Sequence, residues 1–182
     1  MLEEARKLAT RTGLRNVAWP RGDVYALPFA GGVFDIVSCR YAFHHLLKPA
    51  RALAEMVRVC REGGRIVLCD AFASDDPVKA TALNVMERHR DPSTVEFRTL
   101  SFLRALFAEA QLPEPMECLY KVPAELERLL AMAYPAGDDR AGLRAIIEAA
   151  VDGDGMGVGA RREGDTVRFE YPAVVLTAVK DA

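Results

Sequence analysis

Histidine is scarce in this chain, and neither sign of charge is in excess. There are three histidines, two of them adjacent, so a multi-histidine metal site is not expected. The 24 Lys and Arg residues nearly balance 26 Asp and Glu, for a net charge of −2. That leaves no basic field to draw in nucleic acid and no polybasic run to meet anionic lipid. No apolar run approaches the roughly 20 residues of a membrane span. The charge-rich N-terminus is not a signal peptide either. Four cysteines, Cys39, Cys60, Cys69 and Cys118, sit in apolar surroundings without the paired spacings of a zinc site. They are expected to be reduced, in a cytoplasmic protein. What is present, 182 residues with 51% apolar and 27% charged, suffices for one α/β domain over residues 1–182.

The chain opens inside a helix, MLEEARKLATR. Leu2, Ala5, Leu8 and Ala9 recur at helical spacing, and Gly13 stands where a left-handed C-cap is wanted. Asn16–Gly22 reads as a short edge strand interrupted by Pro20. FDIVSCR (Phe34–Arg40) is a continuous apolar run, the pattern of a strand buried on both faces. Pro49–Cys60 turns helical and is expected to end at Gly63-Gly64, before a second buried strand at Arg65–Asp70. Strand, helix, strand predicts a parallel pair with a right-handed crossover. Helices follow at Pro77–Arg90, at Phe102–Ala110 capped by Ser101 with Phe102, Leu103, Leu106 and Phe107 inward, at Ala124–Ala133 and at Asp139–Val151. Met116–Val122 reads as a strand, and Glu163-Gly164-Asp165 turns a hairpin into a long strand over Thr166–Lys180.

Open α/β sheets bind ligands beyond the carboxyl ends of their parallel strands. GDVYALPF, RYAFHH and DAFASDD stand at such ends. Asp23 can accept from an exocyclic amine, or merely cap nearby backbone N–H groups. Tyr41, His44 and His45 crowd the second strand's mouth, where a histidine can act as general base or be structural. Arg40 can hold a carboxylate or cover a helix end, and Asp70 can cap a loop or meet a substrate.

The order of these stretches is more specific than any one of them. GDVYALPF, then FDIVSCRYAFHHL, then EMVRVCREGGR and a strand ending in Asp70, resembles the class I S-adenosylmethionine-dependent methyltransferases. The branch resembled is that of the ubiquinone/menaquinone-biosynthesis enzymes. The likeness runs over Met1 to about Leu112 and continues more loosely through RDPSTVEFRTLSFLRALF. It implies a Rossmann-like sheet, mostly parallel, with a C-terminal antiparallel hairpin, and S-adenosylmethionine as cofactor. It places Asp23 on the adenine amine, Val24 at the ring edge, and Cys39 and Arg40 under the methionine part. Tyr41, His44 and His45 then face the transferable methyl group and a small-molecule acceptor. The Leu, Met and Tyr content of Pro77–Asp91 and Val122–Ala150 suits an apolar or aromatic acceptor, and equally fits ordinary core packing. Glu62 replaces a usual proline at a helix terminus, with no bearing on catalysis.

The family pattern also has a strand, a glycine-rich turn and a second strand ahead of the MLEEAR helix. Those first two strands, on the order of 30 residues or more with their helix, are absent from the sequence, which reads as N-terminally truncated. GDGMGVG (Gly153–Gly159) has fitting glycine spacing, but a cradling turn must open a helix and a hairpin follows. Two functional expectations result. One is methyl transfer by the full-length form, with poor cofactor binding by the chain as written. The other is a non-catalytic remnant that dimerises through FDIVSCR, left as an exposed sheet edge. A nucleotide-binding protein of other chemistry lacks a phosphate loop.

Overall fold

The computed structural model describes residues 2–181. α1 (Leu2–Arg11) is followed by Gly13 at φ +72°, a conformation glycine adopts without cost. The only buried residue of α1 is Ala9. Asn16–Gly22 forms no strand: it lies almost wholly exposed, no strand offers it a ladder, and Pro20 removes a donor.

β1 (Phe34–Arg40), α2 (Pro49–Val59) and β2 (Cys60–Ala71) form the expected parallel unit, with Val37 beside Ile66 and Arg40 beside Cys69. Gly63-Gly64 does not stop α2. The pair forms a bulge inside β2, where Phe34 faces Cys60 but Ile36 already faces Arg65. A Cβ on Gly64 would lie 2.6 Å from Cys60 Sγ and 2.9 Å from the Asp35 carbonyl oxygen. β1 is not buried on both faces. It is an edge strand among the described residues, with Ile36 56% exposed.

α3 (Pro77–Arg90) starts at Asp76, whose side chain accepts from Val78 N–H. α4 (Leu100–Glu109) is capped by Thr99, not Ser101, because Thr99 Oγ1 accepts the Phe102 N–H. Phe102, expected inward, is 38% exposed, while Leu103, Leu106 and Phe107 are buried. β3 (Met116–Glu125) runs on through Ala124, so α5 (Leu126–Ala131) starts later than its periodicity predicts. α6 (Arg140–Ala149), β4 (Arg161–Glu163) and β5 (Thr166–Val179) complete the order, with β4 and β5 joined at Gly164-Asp165.

The sheet order is β1-β2-β5-β3, with β4 on β5. Only β1–β2 is parallel; the β2–β5, β3–β5 and β4–β5 pairs are antiparallel. The mostly parallel sheet is thus corrected among the described residues, since α2 is their single parallel crossover. Ile66, Leu68, Val174, Leu176 and Ala178 pack against α2 and α4 in one core cluster. A second cluster gathers α3, α5 and α6 over the C-terminal end of β2 and the start of β5. The seam between the two clusters lies at the carboxyl ends of β1 and β2.

Candidate active site

A cavity of about 340 Å³ opens at that seam. Tyr41 leaves β1 at φ +47°, held by its N–H to the Cys69 carbonyl (2.8 Å) and by its hydroxyl to Tyr120 Oη (2.7 Å). The sharp turn feeds a single helical turn, Phe43–His45, that brings both histidines to the cavity. Asp70, buried at the end of β2, accepts from His44 Nδ1 at 2.8 Å and from the His44 backbone N–H at 3.1 Å. His44 Nε2 has no protein partner among the described residues. It is not sealed either, since Thr94 Oγ1 is the one buried side-chain polar atom left unpartnered there. His44 lines the cavity. His45 is turned the other way at Nδ1, 2.9 Å from the Ser93 carbonyl oxygen. The two imidazoles lie 4.2 Å apart and His44 lies 4.5 Å from the Phe97 ring.

The far wall was not foreseen from the sequence. Glu87 of α3 is fully buried; its Oε1 accepts the Tyr171 hydroxyl and its Oε2 accepts Arg90 Nε at 2.8 Å. Burial, with the Glu87 carboxylate beside it, pushes the Tyr171 hydroxyl well above its ordinary range, so it stays protonated. Arg90 is raised by the nearby Glu87 charge and hydrogen bond, against the opposing effect of its own burial. Glu87 and Arg90 stand at i and i+3, a spacing the sequence displays. Tyr171 carries no such signal, because β5 reaches the site only through its pairing.

The residues assigned to the cofactor do not line this cavity. Asp23 Oδ1 accepts the Tyr25 N–H at 2.9 Å, the capping role, and leaves Oδ2 to solvent. Val24 is half-buried against the α2 cluster. Burial pushes the Cys39 thiol up to about 11, so it is neutral. Arg40 is exposed with its guanidinium 4.8 Å over the Tyr41 ring. The loop holding Asp23 is pinned to α2: the Leu27 N–H donates to Glu55 Oε2 (2.7 Å), and Arg58 donates to the Phe29 and Leu27 carbonyls. Gly153–Gly159 is a turn whose Asp154 Oδ1 accepts the Val158 and Gly159 N–H groups; no helix follows it.

A family model described as a methyltransferase domain matches residues 1–68. Over 182 residues the chain is 30% identical to the uncharacterized methyltransferase YcgJ of Bacillus subtilis, covering 99% of this chain and 72% of that protein. The chain belongs to the class I S-adenosylmethionine-dependent methyltransferases. The crystal structure of YcgJ superposes on this methyltransferase with a TM-score of 0.88 at 28% identity, over all of this chain and 79% of that one. A ubiquinone/menaquinone biosynthesis C-methyltransferase of Roseobacter denitrificans is 33% identical over 86 residues, 47% of this chain and 34% of that protein. In this methyltransferase, then, Tyr41, His44 and His45 converge on one cavity. Asp23, Val24, Cys39 and Arg40 lie outside its lining. Among the described residues no His, Cys, Asp or Glu group could hold a metal ion, and no helix is long and apolar enough to cross a membrane.

Proposed function

We propose that this methyltransferase methylates a small-molecule acceptor seated in the cavity between His44 and Arg90. The observation that carries the reading is that His44, bonded to Asp70 through both its ring Nδ1 and its backbone N–H, lines that cavity with Nε2 unpartnered among the described residues. Asp70 holds the proton of the neutral ring on Nδ1, leaving Nε2 to take a proton from an acceptor hydroxyl or amine. S-adenosylmethionine, when bound, supplies a methyl group on a sulfonium with an excellent leaving group. The protein's part is alignment of the acceptor, with a base where a proton must go. Asp23 Oδ2 and the backbone at Val24 are the groups for the adenine, and Cys39 and Arg40 for the methionine part. Their place outside the cavity lining supports weak cofactor binding by the 182-residue chain. Membership in the quinone-biosynthesis branch belongs to the same proposal and is supported by the 33% identity over 86 residues noted above.

The test is a thermal-shift titration with S-adenosylhomocysteine. A ligand at a hundred times its dissociation constant stabilises a fold by about 2.7 kcal/mol. We expect a small shift reached only at high ligand, abolished in Asp23→Ala. A shift saturating at low micromolar ligand overturns weak binding; none at millimolar ligand overturns catalysis by this chain alone.

The free edge of β1 favours a second, non-catalytic reading: two copies pairing through FDIVSCR, where Ile36 is 56% exposed and Val33, just before the strand, 51%. Light scattering that finds a dimer, lost on Ile36→Lys, would support it; a monomer in wild type would exclude it.

A further inference from the structure

Resting on the acceptor-cavity reading, we propose that the acceptor presents a neutral carbonyl oxygen to Arg90, and that Glu87 makes the cavity reject a carboxylate at that place. Arg90 lines the cavity and directs Nε and Nη2 at Glu87, at 2.8 and 2.7 Å. Its Nη1 has no acceptor among the described residues. Arg90 thus lines the cavity with one donor unpaired among the described residues and with its charge already matched.

The matching is tight. The Glu87 side chain is 1% exposed and both its oxygens are occupied, one by Arg90 and one by the protonated Tyr171 hydroxyl. Asp91 adds a further negative charge near Arg90. A carboxylate entering here would bring a second anion to a buried, balanced pair and shed its own hydration to do so. A ketone, ester or amide oxygen accepts the same N–H without adding charge.

The walls between the two ends specify the body of the acceptor. His45, His44, Phe97 and Tyr171 form a row of rings with successive centroids 4.2, 4.5 and 6.3 Å apart, and Val122 and Leu129 also line the space. Such a slot suits a planar, apolar molecule with its nucleophilic O–H or N–H at His44 and its carbonyl at Arg90.

Three probes of one ring and one hydroxyl separate the possibilities: 4-hydroxyacetophenone, 4-hydroxybenzoate and 4-ethylphenol. Calorimetry or ligand-observed NMR on the full chain should show the ketone binding about tenfold tighter than the other two, the difference a single well-made bond to a charged donor supplies. In Arg90→Met the ketone should fall to the level of 4-ethylphenol. In Glu87→Gln the carboxylate should overtake the ketone. Wild-type preference for the carboxylate, equal affinities, or no binding of any probe at millimolar concentration overturns the proposal. If Glu87→Gln does not fold, the wild-type ratios and Arg90→Met still decide. Failure here leaves methyl transfer itself to the S-adenosylhomocysteine titration, which involves neither Arg90 nor Glu87.

Discussion

His44 and Asp70 meet twice, ring Nδ1 on one carboxylate oxygen at 2.8 Å and backbone N–H on the other at 3.1 Å. A carboxylate can accept both at once; an amide cannot, since its NH₂ would face an N–H. Asp70→Asn should therefore turn the ring or reverse its tautomer. We expect turnover at saturating acceptor to fall by about 10²- to 10⁴-fold, the usual share of a positioned base, with acceptor affinity little changed. A variant that keeps its turnover would show that His44 is structural.

The cofactor-side loop hangs on Glu55 and Arg58. The Arg58 guanidinium beside it holds the Glu55 carboxyl at about 2, below its ordinary 4.5. A depressed carboxyl contributes fully above pH 4.5, and its contribution disappears as pH falls through about 2. After correction for intrinsic exchange, the Leu27 amide should stay protected down to pH 4 and lose protection below 3. Arg58→Ala should remove that protection at neutral pH, while the amides of β2 remain slow.

Cys39 should be a poor nucleophile despite its place at the proposed methionine wall. Its thiol is pushed from 9.0 to about 11 by burial, and next by the Asp70 charge. Two units lower the thiolate fraction at pH 8 about 100-fold. Exposed Cys118 should take iodoacetamide first, and mass spectrometry of timed digests should find Cys39 slower by about that factor. Equal labelling would mean that burial does not shield the Cys39 thiol.

The Gly63-Gly64 bulge is expected to tolerate no side chain at its second position. Besides its contacts with Cys60 Sγ and the Asp35 oxygen, a Cβ there would lie 2.8 Å from the Arg61 carbonyl oxygen. The bulge is also tied to the end of β5 by Gly63 N–H to the Lys180 oxygen and Lys180 N–H to the Gly64 oxygen, both 2.8 Å. Gly64→Ala should cost about 1–3 kcal/mol, or about 2–4 °C in melting temperature per kcal/mol. Differential scanning calorimetry reads it directly, and an unchanged melting point would show that the bulge can shift.

Local signals carried most of the elements. Pro49 and Pro77 at helix starts, periodicity over α2 and α3, and the Gly164-Asp165 turn fix their elements within a few residues of chain. Errors arose where a neighbour decides: Asn16–Gly22 has strand-forming residues but no ladder, and Gly63-Gly64 looks like a helix stop until β1 and β5 pair around it. The site divides the same way. Tyr41, His44 and His45 follow one another in sequence at a strand end, so their convergence was legible.

What the sequence determined by itself is the βαβ unit, the family likeness and a histidine pair at a strand mouth, all set by short-range spacing. Tertiary structure alone decided that Asp70 orients His44 across 26 positions and that Tyr171 meets Glu87 across 84. It also left Asp23 and Arg40 outside the cavity lining. The first relation depends on the parallel pairing of β1 with β2, and the second on how β5 inserts between β2 and β3. That choice is made by burial of whole strand faces, which no local pattern encodes.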